Sequence, residues 1–127
     1  MDEAKGELLH EDITYAIIGC AQKVHGTLGP GFPESVYERA MSQELMQRKM
    51  PFETQRPYEV WYEGVLCGEF RLDMLVEGKV IVELKAVANR IGDHLAQALS
   101  YLKVTGLHVG LLLNFGRKSL QTQRVAL

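Results

Sequence analysis

From residue 11 to 27 apolar side chains recur every three or four positions. Ile13, Ile17, Cys20, Ala21, Val24 and Leu28 fall on one stripe, which predicts an amphipathic helix. Asp12 is its expected N-cap, and Leu28-Gly29-Pro30-Gly31 must end it. A second helix is expected from Pro33, a residue favoured in the first helical turn, to about Arg48. It would bury Val36, Tyr37, Ala40, Met41 and Leu45. Between Phe52 and Lys85 the period shortens to two: Val60, Tyr62, Leu66–Val76 and Lys79–Lys85 read as antiparallel strands. After Asn89 the helical period returns, with Ile91, Leu95, Ala98, Leu99 and Leu102 inward and a stop near Thr105-Gly106. Val109-Gly110-Leu111-Leu112-Leu113 is apolar on both faces, as a strand covered on two sides would be. Ser119–Leu127 reads as an added edge strand. The order of helix, helix, three strands, helix, strand gives an α/β fold with a mixed central sheet flanked by helices.

The segment Arg71–Lys85 allows its pairing to be worked out. A two-residue turn at Glu77-Gly78 would pair Val76 with Lys79 and mix apolar with charged side chains on each face. A three-residue turn, Glu77-Gly78-Lys79, with Gly78 supplying positive φ, pairs Val76 with Val80 instead. Leu72, Met74 and Val76 then share a face with Val80, Val82 and Leu84, so the apolar pattern selects this register. It sets Asp73 opposite Glu83, with Lys85 one step further along. Opposed Cβ atoms lie about 5 Å apart, and two carboxylates there need a shared proton or a cation. A hard divalent ion such as Mg²⁺ or Mn²⁺ meets that need with oxygen ligands, and Lys85 could then act on a water or a phosphate beside it. The competing reading is an ordinary solvated strand face with Arg71 offsetting Asp73. Against it stands Val80-Ile81-Val82, which puts the charges at the end of a buried strand, where charge is costly.

Composition narrows the setting. The chain has 127 residues, 46% hydrophobic and 24% charged, enough for one well-packed domain spanning residues 1–127. Its formal net charge of −2 excludes a module that coats nucleic acid through bulk positive charge, though not one with a local basic groove. No apolar run is long enough to span a bilayer, and Met1-Asp2-Glu3-Ala4-Lys5 lacks the start of a signal peptide. Cys20 and Cys67 are too few for a disulfide scaffold. The expectation is a soluble, cytoplasmic domain without membrane contact.

The arrangement Asp73…Glu83-Leu84-Lys85 resembles the signature of the PD-(D/E)XK nuclease superfamily, with Leu72 where the superfamily's name has proline. Within it, the chain resembles the GxxExxY proteins, whose motif stands here as Gly31-Phe32-Pro33-Glu34-Ser35-Val36-Tyr37. The likeness continues through Arg71-Leu72-Asp73, Glu83-Leu84-Lys85-Ala86-Val87, Gln97-Ala98-Leu99-Ser100-Tyr101-Leu102 and Leu113-Asn114-Phe115-Gly116. It implies a restriction-endonuclease-like αβββαβ core preceded by an extra N-terminal helix. It also implies a Mg²⁺ or Mn²⁺ site made by Asp73, Glu83, the Leu84 carbonyl and Glu34. Lys85 would be the catalytic lysine, and Gln97 and Tyr101 the supporting Gln-x-x-x-Tyr element.

The remaining residues admit plainer readings. Glu34 sits where the helix dipole favours a carboxylate, and Tyr37 reads as packing. Arg90, His94, Gln97 and Tyr101 form a polar stripe on the third helix. His25 reads as a helix-end residue, Cys20 as core and Cys67 as a strand residue. Tyr58, Trp61 and Tyr62 on the first strand read as core. Lys23, Arg56, Arg71, Arg90, Arg117, Lys118 and Arg124 are scattered basic groups, so a focused cleft or a homodimer would be needed to hold nucleic acid. Two functions stay open at this point: metal-dependent hydrolysis of nucleic acid, DNA before RNA, or a non-catalytic module binding nucleic acid or protein.

Overall fold

The computed structural model describes residues 9–127. Two antiparallel-packed pieces open the chain, α1 (Glu11–Leu28) and α2 (Glu34–Gln47). Three strands follow, β1 (Phe52–Tyr62), β2 (Val65–Val76) and β3 (Val80–Lys85). A 3₁₀ turn (Ile91–His94) leads into α3 (Leu95–Thr105), and β4 (Val109–Asn114) and β5 (Gln121–Ala126) close the fold. The five-stranded sheet has the order β1-β2-β3-β4-β5. Neighbours are antiparallel except β3 and β4, which are parallel. A parallel pair needs a crossover, and α3 supplies it.

Helices cover both faces, so the inner strands must be apolar on both sides. Every residue of β4 is buried, as is all of β3 except Lys85. On one face α1 and α2 bury Ile17, Cys20, Tyr37, Met41 and Leu45 against Met74, Val76, Val82 and Leu84. On the other, Ile91, Ala98 and Leu102 pack on Leu75, Ile81 and Leu112. The predicted order of elements and the mixed sheet are observed, and Ser119–Leu127 does contain the edge strand.

Several details differ from the sequence-based expectation. Asp12 is not the N-cap: α1 begins at Glu11 after His10, and Asp12 lies in the first turn. Pro33 caps α2 from outside, in extended conformation, and Glu34 is the first helical residue. The third helix starts as a 3₁₀ turn and becomes α-helical only at Leu95. Trp61 and Tyr62 are 58% and 67% exposed, not core. They lie on a two-stranded ribbon formed by the far ends of β1 and β2, where no helix covers either face. Leu72 is fully buried but joins the α3-side cluster with Leu75, not the face of Met74 and Val76. The ladder has no pair at Gln55 and Asp73, between Thr54↔Met74 and Arg56↔Leu72, and Gln55 has φ 54°, so the alternation breaks there although the register is unchanged.

Candidate functional site

The hairpin register selected by the apolar pattern is the observed one: Val76↔Val80, Leu75↔Ile81 and Met74↔Val82. The ladder then stops, one step short of Asp73 and Glu83. In place of the next backbone pair, each carboxylate takes a backbone N–H from the other strand. The Asp73 N–H donates to Glu83 Oε2 at 3.1 Å, and the Leu84 N–H donates to Asp73 Oδ2 at 2.8 Å. The two strands are therefore splayed and laced together by acid side chains. Buried N–H groups need partners, and here the partners are the candidate ligands themselves.

This lacing holds two carboxyl groups side by side. Glu83 is only 4% exposed. Burial first, and the Asp73 charge second, push its carboxyl from an ordinary 4.5 up to about 8, against the opposing pull of the Asp73 N–H and Lys85. Asp73 is raised as well, chiefly by burial, with the Leu84 N–H, Lys85 and Gln55 acting the other way.

α2 brings a third acid to the pair. Gly29 (φ 70°) and Gly31 (φ 115°) turn the chain between α1 and α2 through backbone conformations that favour glycine. Tyr37 fixes that turn: its hydroxyl donates to Gly29 O at 2.6 Å and accepts from Phe32 N–H at 3.2 Å, while its ring stacks on Phe115 with centroids 4.5 Å apart. The Gly-x-x-Glu-x-x-Tyr spacing thus has a physical meaning. The glycine permits the turn, the buried tyrosine locks it, and Glu34 stands in the first helical turn facing the sheet. Glu34 is raised by desolvation and by Asp73, and is held down by Lys85, His94 and the Ala86 N–H. A cavity of about 470 Å³ is lined by Glu34, Ser35, Glu38, Gln55, Asp73 and Leu84.

Lys85 extends toward α3. Its Nζ is 3.5 Å from Gln97 Oε1, the long limit of a hydrogen bond. Tyr101 stacks on Phe70 at 4.1 Å, and Phe70 on Tyr58 at 5.9 Å. Burial raises the Tyr101 hydroxyl's pKa, and the charges of Glu83 and Asp73 raise it further. Asp73, Glu83, Leu84, Lys85, Glu34, Gln97 and Tyr101 thus gather around one end of β3, with His94 beside them. Arg90 is exposed at the entrance to the 3₁₀ turn. His25 is engaged elsewhere, its Nε2 2.9 Å from Arg117 O. Cys20 and Cys67 are free thiols, buried and exposed respectively.

Three positioning contacts were not read from the sequence. Gln55 Nε2 donates to Glu38 Oε1 at 2.7 Å, beside Asp73. The buried Asn114 accepts from the Val87 and Gly116 N–H groups at 3.0 Å each, and donates to Val87 O at 3.0 Å and Asn89 O at 3.2 Å. Gly116 allows the close approach behind this knot, because a Cβ there would overlap the Val87 backbone. Asn114 and Gly116 so fix the loop that leaves Lys85. The one available signal was a polar residue closing an otherwise apolar strand.

No three His, Cys, Asp or Glu side chains among the described residues form a ready-made ion cage. The donor set nevertheless fits a hard divalent cation. It consists of oxygen donors only, and two of its carboxyls form a crossed, buried pair whose pKa values are raised, by burial first. A cation would remove that strain without breaking either backbone bond.

Comparison with known proteins agrees with this geometry. Among curated proteins, none matches the chain. Among solved structures, one titled "Crystal structure of SSO0001" aligns with a TM-score of 0.58 at 16% identity, over 72% of this chain and 48% of that one. The chain thus spans about half the length of that protein, and the likeness is one of fold. The sequence profile of the PD-(D/E)XK nuclease superfamily matches residues 11–125. With that match running through both helices, the whole sheet and the crossed acids, the chain belongs to the PD-(D/E)XK nuclease superfamily.

Proposed function

We propose that this protein is a Mg²⁺- or Mn²⁺-dependent nuclease of the GxxExxY type, hydrolysing phosphodiester bonds of DNA in preference to RNA. The observation that carries the reading is the crossed pair, in which Asp73 and Glu83 each hold the other strand's backbone and share a buried, uncompensated charge. A structural ion pair would have placed a lysine or arginine between them.

In this reading Asp73, Glu83 and the Leu84 carbonyl hold the ion, with Glu34 assisting from α2. When bound, the ion lowers the pKa of a water and offsets charge on the phosphate. Asp73 and Glu83 are oriented for this before substrate arrives, since neither carboxylate can rotate without losing an N–H bond. Lys85 positions the attacking water and offsets negative charge as it builds on the phosphate oxygens. Water adds to phosphorus, the bond to one ester oxygen breaks, and the departing oxygen takes up a proton. Gln97 keeps the Lys85 ammonium on the α3 side, and Tyr101 walls the pocket through its stack on Phe70. A non-catalytic module would have no use for a lysine aimed beside two desolvated acids.

The test is cleavage of end-labelled DNA and RNA in Mn²⁺, with calorimetric Mn²⁺ binding beside it. Wild type is expected to cleave, Glu83→Gln and Lys85→Ala to fall by about 10³-fold or more, equivalent to about 4 kcal/mol of barrier, and Asp73→Asn to lose metal. Metal binding without cleavage of any nucleic acid, or cleavage that survives Glu83→Gln, would overturn the reading.

A further inference from the structure

Gln55 occupies a backbone conformation that a glutamine rarely adopts. Its φ is 54°, although it lies inside a strand, and the β1–β2 pairing skips it opposite Asp73. Glycine is the residue that such a position ordinarily favours. The backbone is held in place from the partner strand, where Arg71 Nη1 donates to Gln55 O at 3.1 Å. Its side chain lines the 470 Å³ cavity shared with Glu34, Glu38 and Asp73. There its amide donates to Glu38 Oε1 at 2.7 Å and lies beside the Asp73 carboxyl, which it helps to hold down. One amide thereby stands between an acid of α2 and an acid of β2.

We infer that Gln55 is a positioning residue for the cation site, its amide fixing the orientation of Asp73 and tying it to α2 through Glu38. The inference rests on the metal-site reading above and deepens it. A carboxylate ligand needs its remaining lone pairs held if it is to present one oxygen consistently, and loss of such an outer hydrogen bond typically weakens metal affinity 10- to 100-fold. An amide suits the place better than a lysine or arginine. It satisfies two acids without adding a positive charge that would compete with the cation.

The test compares Mn²⁺ affinity by calorimetry with the melting temperature in EDTA for wild type, Gln55→Met, Gln55→Gly and Asp73→Asn. Met keeps the side-chain length and removes the donor, and Gly relieves the backbone conformation. Both are expected to weaken Mn²⁺ binding about tenfold or more, with the Gly variant melting in EDTA at or above the wild-type temperature. A purely structural role predicts the reverse, a lower melting temperature in the Met variant and unchanged affinity in both. Unchanged affinity in both Gln55 variants, with binding lost in Asp73→Asn, would overturn the inference and leave the metal site standing. No Mn²⁺ binding by wild type at millimolar metal, or equal binding in all four proteins, would overturn the site reading and this inference together.

Discussion

β2 takes part in two hairpins that behave in opposite ways. Near its end, from Met74 to Val76, it pairs with β3 under helices on both faces, and every apolar residue there is buried. Near its start it pairs with β1 as a two-stranded ribbon, and there Val65–Glu69 are all exposed. Each hairpin has strand-favouring residues, Val76 with Val80, Ile81 and Val82 in the one and Val65 with Val60, Trp61 and Tyr62 in the other, so local propensity does not separate them. What separates them is cover. In the first, a register slip by one would turn Met74 and Val76 away from the α1–α2 cluster and put Asp73 into it, which fixes the pairing. In the second, either face meets water, and the pairing changes register between Val60 and Trp61 without burying or exposing anything.

The largest effect should come from chemistry, not packing. Glu83→Gln is expected to abolish cleavage while leaving the metal-free protein as stable as wild type or more so, because the amide keeps the shape and removes a buried charge. Differential scanning fluorimetry in EDTA beside the cleavage assay checks this, and a variant that fails to fold would make Glu83 a structural residue. Next in size is a packing contrast along one strand. Met74→Ala, in the covered hairpin, should cost about 2–5 kcal/mol in urea unfolding. Val65→Ala, on the ribbon, should stay within about 0.5 kcal/mol. Similar losses at the two positions would show that the ribbon is covered in solution.

The same contrast explains what could be read from the sequence. The element order and the Val76↔Val80 register were legible because each apolar residue of Met74–Leu84 has one face to satisfy. The acids were legible because charge at the end of a run such as Val80-Ile81-Val82 is costly unless it is used. The aromatic residues Trp61 and Tyr62 were misread as core, since alternation carries no information where both sides are wet. Leu72 was assigned to the wrong face because the missing ladder pair at Gln55 and Asp73 leaves no local mark; the Gln55 carbonyl is held there by Arg71, sixteen positions along. Gln55 and Asn114 escaped for the same reason, their roles being set by groups distant in the chain.

A pH measurement sharpens the comparison by isolating the charge in the covered hairpin. In the metal-free protein the folded state holds the Glu83 proton up to about pH 8, whereas the unfolded chain releases it near 4.5. The folded state therefore binds more protons across that window, so stability is fully present below it, falls as pH rises through it, and levels off above. Asp73 and Glu34 act in the same direction. Melting in EDTA should thus occur at a lower temperature at pH 8.5 than at pH 5.5, and Glu83→Gln should remove most of the difference. Mn²⁺ should raise the melting temperature more at pH 8.5, where the acids are already ionised. A wild-type melting temperature that rises steadily with pH would mean that another cation already neutralises the pair.

The smallest effect is expected at the ribbon tip, in Trp61→Ala. The indole is 58% exposed, and its N–H donates to Glu59 Oε1 at 3.1 Å across a fully wet face. A two-stranded ribbon with no cover gains little from one side chain, so unfolding free energy should change by no more than about 0.5 kcal/mol. Glu59, Glu63 and Glu69 surround the tip, and their charge opposes a polyanion there. Trp61→Ala should accordingly leave cleavage and its salt dependence as they are in wild type. A weakened salt slope would place the nucleic-acid path along the ribbon despite its acids. A loss of stability that grows with protein concentration would instead mean that Trp61 is buried between two copies of the chain. Unchanged values on both counts would confine the working part of the molecule to the covered half of β2, where its crossed acids stand.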